Sequence, residues 1–340
     1  MSSSSRYRHV RAEVIPLLVD GSIFAAGTCK ATRWAYAEAI VEVGHRLQDV
    51  VLLNADVAKS MGTTEFAKTF PDRQFNFGIA EQNMMAAAAG MATAGLIPFA
   101  STYAVFASMR ALDQVRNSIC YTNLNVKIAA SHSGITPGPD GVTHQGQEDL
   151  SLMRALPNMT VVAAADPVST KLAVHAAADW VGPVYLSFTR DPVPVLYDDT
   201  YPFQIGHAVT VRLGNDATIV ANRDLVVQAL LAAEILAREG VDVRVIDCHT
   251  IKPLDSATIL AAARETGAVV TAEDNIFFGG LGSAVAELLV ENAPMPMKRI
   301  GVRDTFAESG PYLALLDKYA MSAPHIAEAV RDVIRRKLGQ

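Results

Sequence analysis

Cysteine is scarce in this sequence, and lysine and arginine form no run longer than three residues. The three cysteines, Cys29, Cys120 and Cys248, are far apart and form no CxxC pair. This argues against a disulfide framework and against a cysteine zinc site, and it favours a reducing compartment such as the cytoplasm. The net charge of −6 and the lack of a longer basic run argue against nucleic-acid binding.

Several catalytic and nucleotide-binding motifs are also absent. No Walker A, GxSxG or HExxH pattern occurs, and His132 and His144 lack the helical spacing of two metal ligands. The glycine-rich stretch 279–283 suggests a dinucleotide fingerprint, but Val285 stands where the third glycine would be. We therefore expect a tight turn into a helix at this stretch.

Residues 82–109 carry no charge, and this stretch is long enough to suggest a membrane span. Gly95 and Pro98 interrupt it, however, and small residues dominate it. A helix, a buried strand and a second helix explain the stretch better than a membrane span. The apolar segment 14–19 is too short for a signal-peptide core, and the polar residues 1–11 are expected to be frayed.

The chain is long and apolar enough for two domains, with 340 residues of which 50% are hydrophobic. Short apolar runs alternate with helical patterns, which indicates mostly parallel sheets covered by helices. We therefore predict an α/β fold of two three-layer domains. The predicted segments are an N-terminal extension over 1–21, a first domain over 22–192, a linker over 193–203 and a second domain over 204–340.

The pattern also places the individual elements. Strands are predicted over 50–54, 96–100, 126–130, 160–164, 184–188, 217–221, 241–246 and 268–271. Helices are predicted over 81–94, 103–121, 224–238, 255–265 and 281–292. Ser101 and Thr102 are expected to cap the second of these helices, and Asp166 with Pro167 is expected to start another.

A polar loop, residues 136–147, follows the strand segment that carries His132. Open α/β sheets bind ligands in loops at the carboxyl ends of their parallel strands. The hydrogen-bonding candidates in and just after this loop are Asp140, Thr143, His144, Gln145, Glu148 and Asp149. The alternative is a solvated loop that ends in a helix N-cap.

Four further charged or cationic side chains are candidates for a site. Glu81 opens an otherwise uncharged helix, so its carboxylate needs a partner, a hydrogen bond or a proton if it is buried. The alternative is a first-turn glutamate that interacts with the helix dipole. Arg33, His132 and Arg190 stand at predicted strand ends and could hold an anion, although isolated arginines are more often surface residues.

Several motifs occur in the order and spacing of a known family. They are Asn76-Phe-Gly-Ile-Ala-Glu-Gln-Asn-Met84, Asp113-Gln114, Pro139-Asp-Gly-Val-Thr-His-Gln145, Ile251-Lys-Pro-Leu-Asp255 and Gly279-Gly-Leu-Gly282. From about residue 31 to its end, the chain resembles the C-terminal half of transketolase. It looks most like the small subunit of a split, two-chain transketolase. The resemblance implies a pyrimidine-binding domain of the thiamine diphosphate-binding fold, followed by a transketolase C-terminal domain.

The resemblance also implies roles for individual residues. Glu81 falls on the catalytic glutamate, which hydrogen-bonds the aminopyrimidine of thiamine diphosphate and favours its imino tautomer. Tyr103 and Phe106 match the aromatic positions that pack on the pyrimidine, and Asp56 matches a position beside the cofactor. Asp140 and His144 match the positions that bind substrate hydroxyls, and His144 is also a catalytic candidate. The residues that match the sugar-phosphate donors are Arg33, Ser60, His132 and Arg190. The implied reaction moves a two-carbon ketol unit from a ketose phosphate to an aldose.

This sequence departs from the family pattern in two places. No Gly-Asp-Gly segment occurs, so the half that ligates Mg²⁺ or a similar ion and holds the diphosphate is missing. This implies a partner subunit with the diphosphate-binding domain, in an assembly with two copies of each chain. The segment Ala221-Asn-Arg-Asp224 also stands where relatives usually have a glycine-containing turn.

Three alternatives stay open beside the split transketolase. A 2-oxoacid dehydrogenase β-type subunit shares the glutamate and the two-domain plan, but Thr143-His-Gln145 and the phosphate donors favour transketolase. A deoxyxylulose-phosphate synthase is normally one long chain, which the length of this sequence argues against. A non-catalytic assembly subunit would have no physical need for Glu81, Asp140 and His144 together.

Overall fold

The computed structural model describes residues 3–25 and 29–340. Within these residues the strands are β1 (Cys29–Lys30), β2 (Val50–Asn54), β3 (Gln74–Asn76), β4 (Ile97–Tyr103), β5 (Lys127–Ser131), β6 (Thr160–Val162), β7 (Val184–Ser187), β8 (Val193–Pro194), β9 (Val209–Arg212), β10 (Ala217–Ala221), β11 (Val243–Asp247), β12 (Thr250–Lys252), β13 (Val269–Ile276) and β14 (Met297–Val302).

The α-helices in the same part of the chain are α1 (Ile15–Asp20), α2 (Thr32–Arg46), α3 (Ala58–Met61), α4 (Thr64–Thr69), α5 (Glu81–Thr93), α6 (Leu112–Gln114), α7 (Asp149–Ala155), α8 (Pro167–Asp179), α9 (Leu225–Ala237), α10 (Ser256–Thr266), α11 (Leu281–Asn292), α12 (Tyr312–Lys318) and α13 (Ala323–Lys337). Short 3₁₀ turns form at Ser3–Arg6, Pro71–Arg73 and Gly138–Asp140, and π-helical turns form at Phe106–Arg110 and Val115–Cys120.

A seven-stranded sheet, in the order β12-β6-β7-β5-β4-β2-β3, forms the centre of the first domain over the described residues. Its strands run parallel except β12, which pairs antiparallel with β6. The strands β2 and β5 are buried along their whole length because helices cover both faces. The helices α2 and α8 share one core with the sheet, and α5 and α7 share another.

A second sheet, in the order β14-β13-β10-β11-β9, forms the centre of the second domain within the described residues. Its strands are parallel except the antiparallel edge strand β9. The helices α1, α9 and α13 pack on one face, and α10 and α11 pack on the other. Both domains therefore have three layers, and the α/β prediction is confirmed.

The N-terminal segment is not frayed over the residues that the structure describes, so that expectation was wrong for residues 3–11. Tyr7 and Val10 are buried in the core of the second domain. The Tyr7 hydroxyl donates a hydrogen bond of 2.8 Å to Glu234 of α9. Val10 forms a β-bridge to Tyr197. Aromatic and β-branched side chains among the serines and arginines therefore attach this segment to a domain far along the chain.

The uncharged stretch 82–109 forms most of α5, then β4, then the start of a helical segment, as expected. The predicted caps Ser101 and Thr102 are wrong, because both residues lie inside β4 and are buried. The helix that follows begins later and contains two π-helical turns. In the described parts of the chain, no helix is both long enough and apolar enough to cross a membrane.

Two predicted local signals are confirmed. Asp166 caps α8 through a hydrogen bond from the Ser169 backbone N–H, and Pro167 stands at the first helical position. The stretch 279–283 is a tight turn in which Gly279 has a positive φ, and α11 begins at Leu281. The carboxylate of Glu273 accepts hydrogen bonds from the Leu281 and Gly282 backbone N–H groups, so this helix N-terminus is already satisfied by a side chain.

Candidate active site

The sequence-predicted site residues gather at the carboxyl edge of the seven-stranded sheet. Tyr103 ends β4, His132 follows β5 directly, and Asp56 follows β2. Arg190 follows β7, and Arg33 lies in the first turn of α2. Parallel strands all end at this edge, which is where open α/β sheets bind ligands. The topology therefore assembles one site from five separate segments.

Glu81 is the first residue of α5 and is only 1% exposed. Its Oε2 atom accepts a hydrogen bond of 2.9 Å from Nη1 of Arg110. The Arg110 guanidinium also lies 4.2 Å from the ring centre of Phe106. Sequence reasoning missed Arg110, although it is the cation that ends the uncharged stretch 82–109. A buried carboxylate needs such a partner.

Four rings form an aromatic wall, and Arg110 links one of them, Phe106, to Glu81. Tyr103 and Phe106 stack with their centroids 5.8 Å apart and an interplanar angle of 27°. His132 stacks on Tyr103 at 3.8 Å. His144 lies 5.6 Å from Phe106 and 5.9 Å from Tyr103. This wall offers flat apolar surface beside a carboxylate, which suits a planar heteroaromatic ring with a hydrogen-bonding edge.

Asp56 is held in an unusual backbone conformation at the end of β2, with φ at 62°. Its backbone N–H donates to Oδ1 of Asn54 at 3.1 Å and to Oδ1 of Asn76 at 3.0 Å. The Asn76 side-chain amide returns a hydrogen bond of 3.3 Å to the Asp56 carboxylate. Asn76 therefore positions Asp56, a role that the sequence motif around it did not indicate. A left-handed aspartate at a site edge is a constrained residue.

The four predicted anion donors are not equally free to bind. The Arg190 guanidinium donates 2.7 Å to Asp191, and its Nε lies 3.3 Å from Oδ2 of Asp140. Arg33 instead has a buried Nε without a hydrogen-bond partner, and its guanidinium lies 5.0 Å from the ring centre of Trp34. Burial, and then the positive charge of Arg190, lower the pKa of Arg33. An anion would satisfy the unpartnered Nε.

Ser60 and His132 complete the donor group. The Ser60 hydroxyl lies 2.6 Å from the Tyr103 hydroxyl. His132 is 3% exposed, with Nδ1 2.7 Å from the Ser131 hydroxyl and Nε2 3.7 Å from Oδ2 of Asp140. Burial, followed by the charges of Arg33 and Arg190, lowers the pKa of His132 to about 3. The imidazole is therefore neutral at physiological pH and contributes a hydrogen bond rather than a charge.

The loop that carries Asp140 and His144 reaches over this edge of the sheet. Asp140 contacts both Arg190 and His132, so the loop closes onto the anion donors. His144 is half-buried, and its Nδ1 lies 3.0 Å from the Thr143 hydroxyl. The contacts of Asp140 with Arg190 and His132, and of Ser60 with Tyr103, thus bring these predicted substrate-binding residues together around the aromatic wall.

The site fits half of thiamine diphosphate. The buried Glu81 carboxylate and the Tyr103–Phe106 surface suit the aminopyrimidine. Within the described residues there is no group of three or more histidine, cysteine, aspartate or glutamate side chains that could hold a metal ion.

Comparison with known proteins now identifies the family. Residues 29–195 match the pyrimidine-binding domain of transketolase, and residues 206–326 match the transketolase C-terminal domain. The chain belongs to the transketolase family. The members of this family depend on thiamine diphosphate, which agrees with the buried glutamate beside an aromatic surface.

Individual relatives agree with this membership of the transketolase family. A protein of Methanocaldococcus jannaschii, provisionally named a transketolase C-terminal section, is 41% identical over 92% of this chain and 99% of its own length. A 6-deoxy-6-sulfo-D-fructose transketolase subunit of Clostridium sp. (strain MSTE9) is 41% identical over 90% of this chain and 95% of its own length. A solved structure titled a split gene transketolase, inactive β4 tetramer, superposes with a TM-score of 0.85 and 48% identity, covering 90% of this chain and 99% of that one.

Proposed function

We propose that this chain is the cofactor-activating subunit of a two-chain transketolase, and that the complex transfers a two-carbon ketol unit from a ketose phosphate to an aldose. The observation that carries the proposal is the position of Glu81, which is buried and hydrogen-bonded to the Arg110 guanidinium that lies against the Phe106 ring. A degenerate binding subunit would have no reason to keep a carboxylate in such a place, because burying it is costly.

Each group of residues then has a chemical task. The Glu81 carboxyl would share a proton with the ring nitrogen of the bound aminopyrimidine and so set its tautomer. Tyr103 and Phe106 hold the ring flat and keep water away from it, and Asp56 lines the cofactor. When bound, thiamine diphosphate supplies the carbon nucleophile that accepts the ketol unit. His144 and Asp140 hydrogen-bond the substrate hydroxyls, and His144 passes a proton to or from a hydroxyl during cleavage.

The donor group supports a sugar phosphate as the substrate. Arg33 supplies an unpartnered guanidinium fork, which matches the oxygens of a phosphate. Ser60, His132 and Arg190 add hydrogen-bond donors around it. The charge of Arg190 is already shared with two carboxylates, so Arg33 contributes most of the attraction to the anion.

A second anionic substrate is a candidate because of one relative. The clostridial subunit that is 41% identical to this chain is named for 6-deoxy-6-sulfo-D-fructose. A sulfonate has the tetrahedral oxygens of a phosphate but one charge fewer, so the same donors could bind it. Turnover of a ketose 6-phosphate against a 6-sulfonated ketose, at equal concentration, decides between the two substrates.

The partner follows from the missing half of the site. The sequence has no Gly-Asp-Gly segment, and no metal-ligating cluster occurs in the part of the chain that the structure describes. The diphosphate and its Mg²⁺ or similar ion are therefore held by an N-terminal-type subunit, in a heterotetramer with two copies of each chain. The solved split-gene relative, titled an inactive β4 tetramer, supports both self-association and inactivity without a partner. The three free cysteines agree with a cytoplasmic complex.

The test is recovery of the partner followed by reconstitution. A tagged chain is purified from its native source with thiamine diphosphate and Mg²⁺ present, and co-eluting proteins are identified by mass spectrometry. We expect one stoichiometric protein with a Gly-Asp-Gly segment and a downstream asparagine. The purified chain alone should bind thiamine diphosphate weakly by calorimetry, and the pair should bind it tightly and transfer the ketol unit. Tight metal-dependent binding by the chain alone would contradict the split site.

A further inference from the structure

A buried polar cluster joins the second domain to the base of the loop over residues 136–147, which we name the substrate loop. We name Arg223, Asp274, Asn275 and Asp149 the interdomain cluster. All four side chains are buried, and Arg223 is 0% exposed. Arg223 follows β10, Asp274 and Asn275 lie in β13, and Asp149 begins α7 in the first domain. A charged cluster this deep is costly unless every member is paired, so its partners matter.

Arg223 is the centre of this interdomain cluster. Its Nη2 donates to the carboxylate of Asp274 and to the Asn275 side-chain oxygen, and its Nη1 donates 2.7 Å to the hydroxyl of Ser187 at the end of β7. Nη1 also lies 3.8 Å from Oδ2 of Asp149. One guanidinium fork therefore contacts both domains at once, which a lysine could not do with the same geometry.

The partners of Arg223 in turn hold both ends of the substrate loop. The Asp274 carboxylate accepts a hydrogen bond of 3.3 Å from the Ile135 backbone N–H, before the loop. The Asn275 side-chain N–H donates 2.8 Å to the Gln147 carbonyl and 2.6 Å to Asp149, after the loop. The intervening residues include Asp140 and His144. Loss of the cluster would remove the Asp274 and Asn275 side-chain bonds at the two ends of the segment that carries them.

The backbone conformation at Arg223 indicates that the contacts of its guanidinium stabilise a strained residue there. Its φ of 45° lies in the left-handed region, where a residue with a side chain is strained and glycine is not. Gly134 complements the arrangement, since a Cβ there would collide with the Asp274 carboxylate.

We propose that Arg223 is a positioning residue for the substrate loop: through Asp274 and Asn275 it fixes residues 135–147, and so sets the distance of Asp140 and His144 from the anion donors. The expected effect on catalysis rests on the proposed function, whereas the fixing of the loop by Arg223 does not. The second domain thereby takes part in substrate binding without contacting the substrate.

Hydrogen exchange of the full chain tests the loop directly, without any assay of turnover. The variant R223M keeps the volume of the side chain but removes the fork, and R223K keeps the charge. The control is R212M, because Arg212 is equally buried and paired with Glu234 but lies on the edge strand β9, far from the loop. We expect R223M to speed exchange of the amides in 135–147 by at least about tenfold, R223K to have a smaller effect, and R212M to leave the loop unchanged.

The same variants in the reconstituted complex test the consequence for activity. R223M should lower kcat/KM for the ketose donor by about 10- to 100-fold, because loosely held groups lose orientation. A second variant, N275A, keeps the Arg223 guanidinium but removes the Asn275 side-chain bonds to Gln147, Asp149 and Arg223, and it serves if R223M does not fold. It should also speed exchange near 147. Unchanged loop exchange in R223M or N275A, or equal acceleration in R212M, would overturn the proposal. If R223M speeds loop exchange but the complex of the parent chain transfers no ketol unit, the proposed function is contradicted and the positioning role of Arg223 is still supported.

Discussion

Arg110 and Glu81 are 29 residues apart and meet in a hydrogen bond of 2.9 Å between Nη1 and Oε2. Glu81 is buried, whereas the Arg110 side chain is 43% exposed. The pair therefore lies at the boundary between the core and the open site. This is the arrangement expected for a carboxylate that must be stabilised by the protein and still be reachable by a ligand.

The Arg110–Glu81 pair should be measurable in a double-mutant cycle on the chain alone. The variants R110M, E81Q and R110M/E81Q are compared by the free energy of unfolding in urea. We expect a coupling energy of about 1 kcal/mol, well below the value for a fully buried pair because Arg110 is partly solvated. Additive effects of the two substitutions would show that the contact contributes nothing to stability.

Glu81 should be essential for turnover but not for assembly. In the reconstituted complex, E81Q keeps the shape of the side chain but cannot share a proton in the same way, so kcat should fall by about 10²- to 10⁴-fold. Light scattering should give the same assembly for E81Q as for the parent. Unchanged turnover by the E81Q and E81A complexes would favour a non-catalytic assembly subunit.

Arg33 should discriminate between donors with and without a phosphate. The variant R33M removes an otherwise unpartnered guanidinium, so kcat/KM for a ketose phosphate should fall by about 10- to 100-fold, as expected for one charge-assisted hydrogen bond. A ketol donor that lacks a phosphate should be used equally well by R33M and the parent. A similar loss for both donors would show that Arg33 does not act on the phosphate. The control is R46M, because Arg46 lies at the far end of the same helix.

His132 should make the chain less stable in acid. Burial lowers its pKa to about 3 in the folded state, against about 6.5 in the unfolded state. Unfolding therefore takes up a proton between these values, and the stability contribution is complete above about pH 6.5 and is lost as the pH falls towards 3. As the pH falls through this window, the free energy of unfolding should decrease less steeply in H132Q than in the parent. The two slopes should differ by about 1.4 kcal/mol per pH unit.

Two other buried groups help to interpret that measurement. His249 also has its pKa lowered to about 3, mainly by burial, so H249Q should repeat the effect independently. Burial raises the pKa of Asp247 to about 7, which changes stability in the opposite direction with pH. The comparison is therefore made between each variant and its parent. Parallel stability curves for H132Q and the parent would contradict the assignment of a buried, neutral His132.

Much of the fold and of the candidate site follows from local patterns in the sequence. Short apolar runs between helical segments predict the eight inner strands of the two sheets within the described residues, because a strand covered on two faces must be apolar along its length. They do not predict the four edge strands β3, β9, β12 and β14. Asp166-Pro167 marks the start of α8 through local hydrogen bonds alone. Glu81 is recognisable because it opens an otherwise uncharged helix, and the polar loop 136–147 follows from its composition.

Other features depended on where distant segments meet, which no local pattern contains. Arg110 and Asn76 were not predicted as partners, because each acts on a residue brought to it by a different strand or helix. The segment of Tyr7 and Val10 is polar in composition, yet these two side chains pack in the core of the second domain. In the sequence, Arg223 belongs to a segment that departs from the glycine-containing turn expected from the resemblance. The partners of its guanidinium come together only when the two domains pack around it. The sequence by itself determined which segments are buried and which carry chemistry, whereas the tertiary structure decided which of them touch.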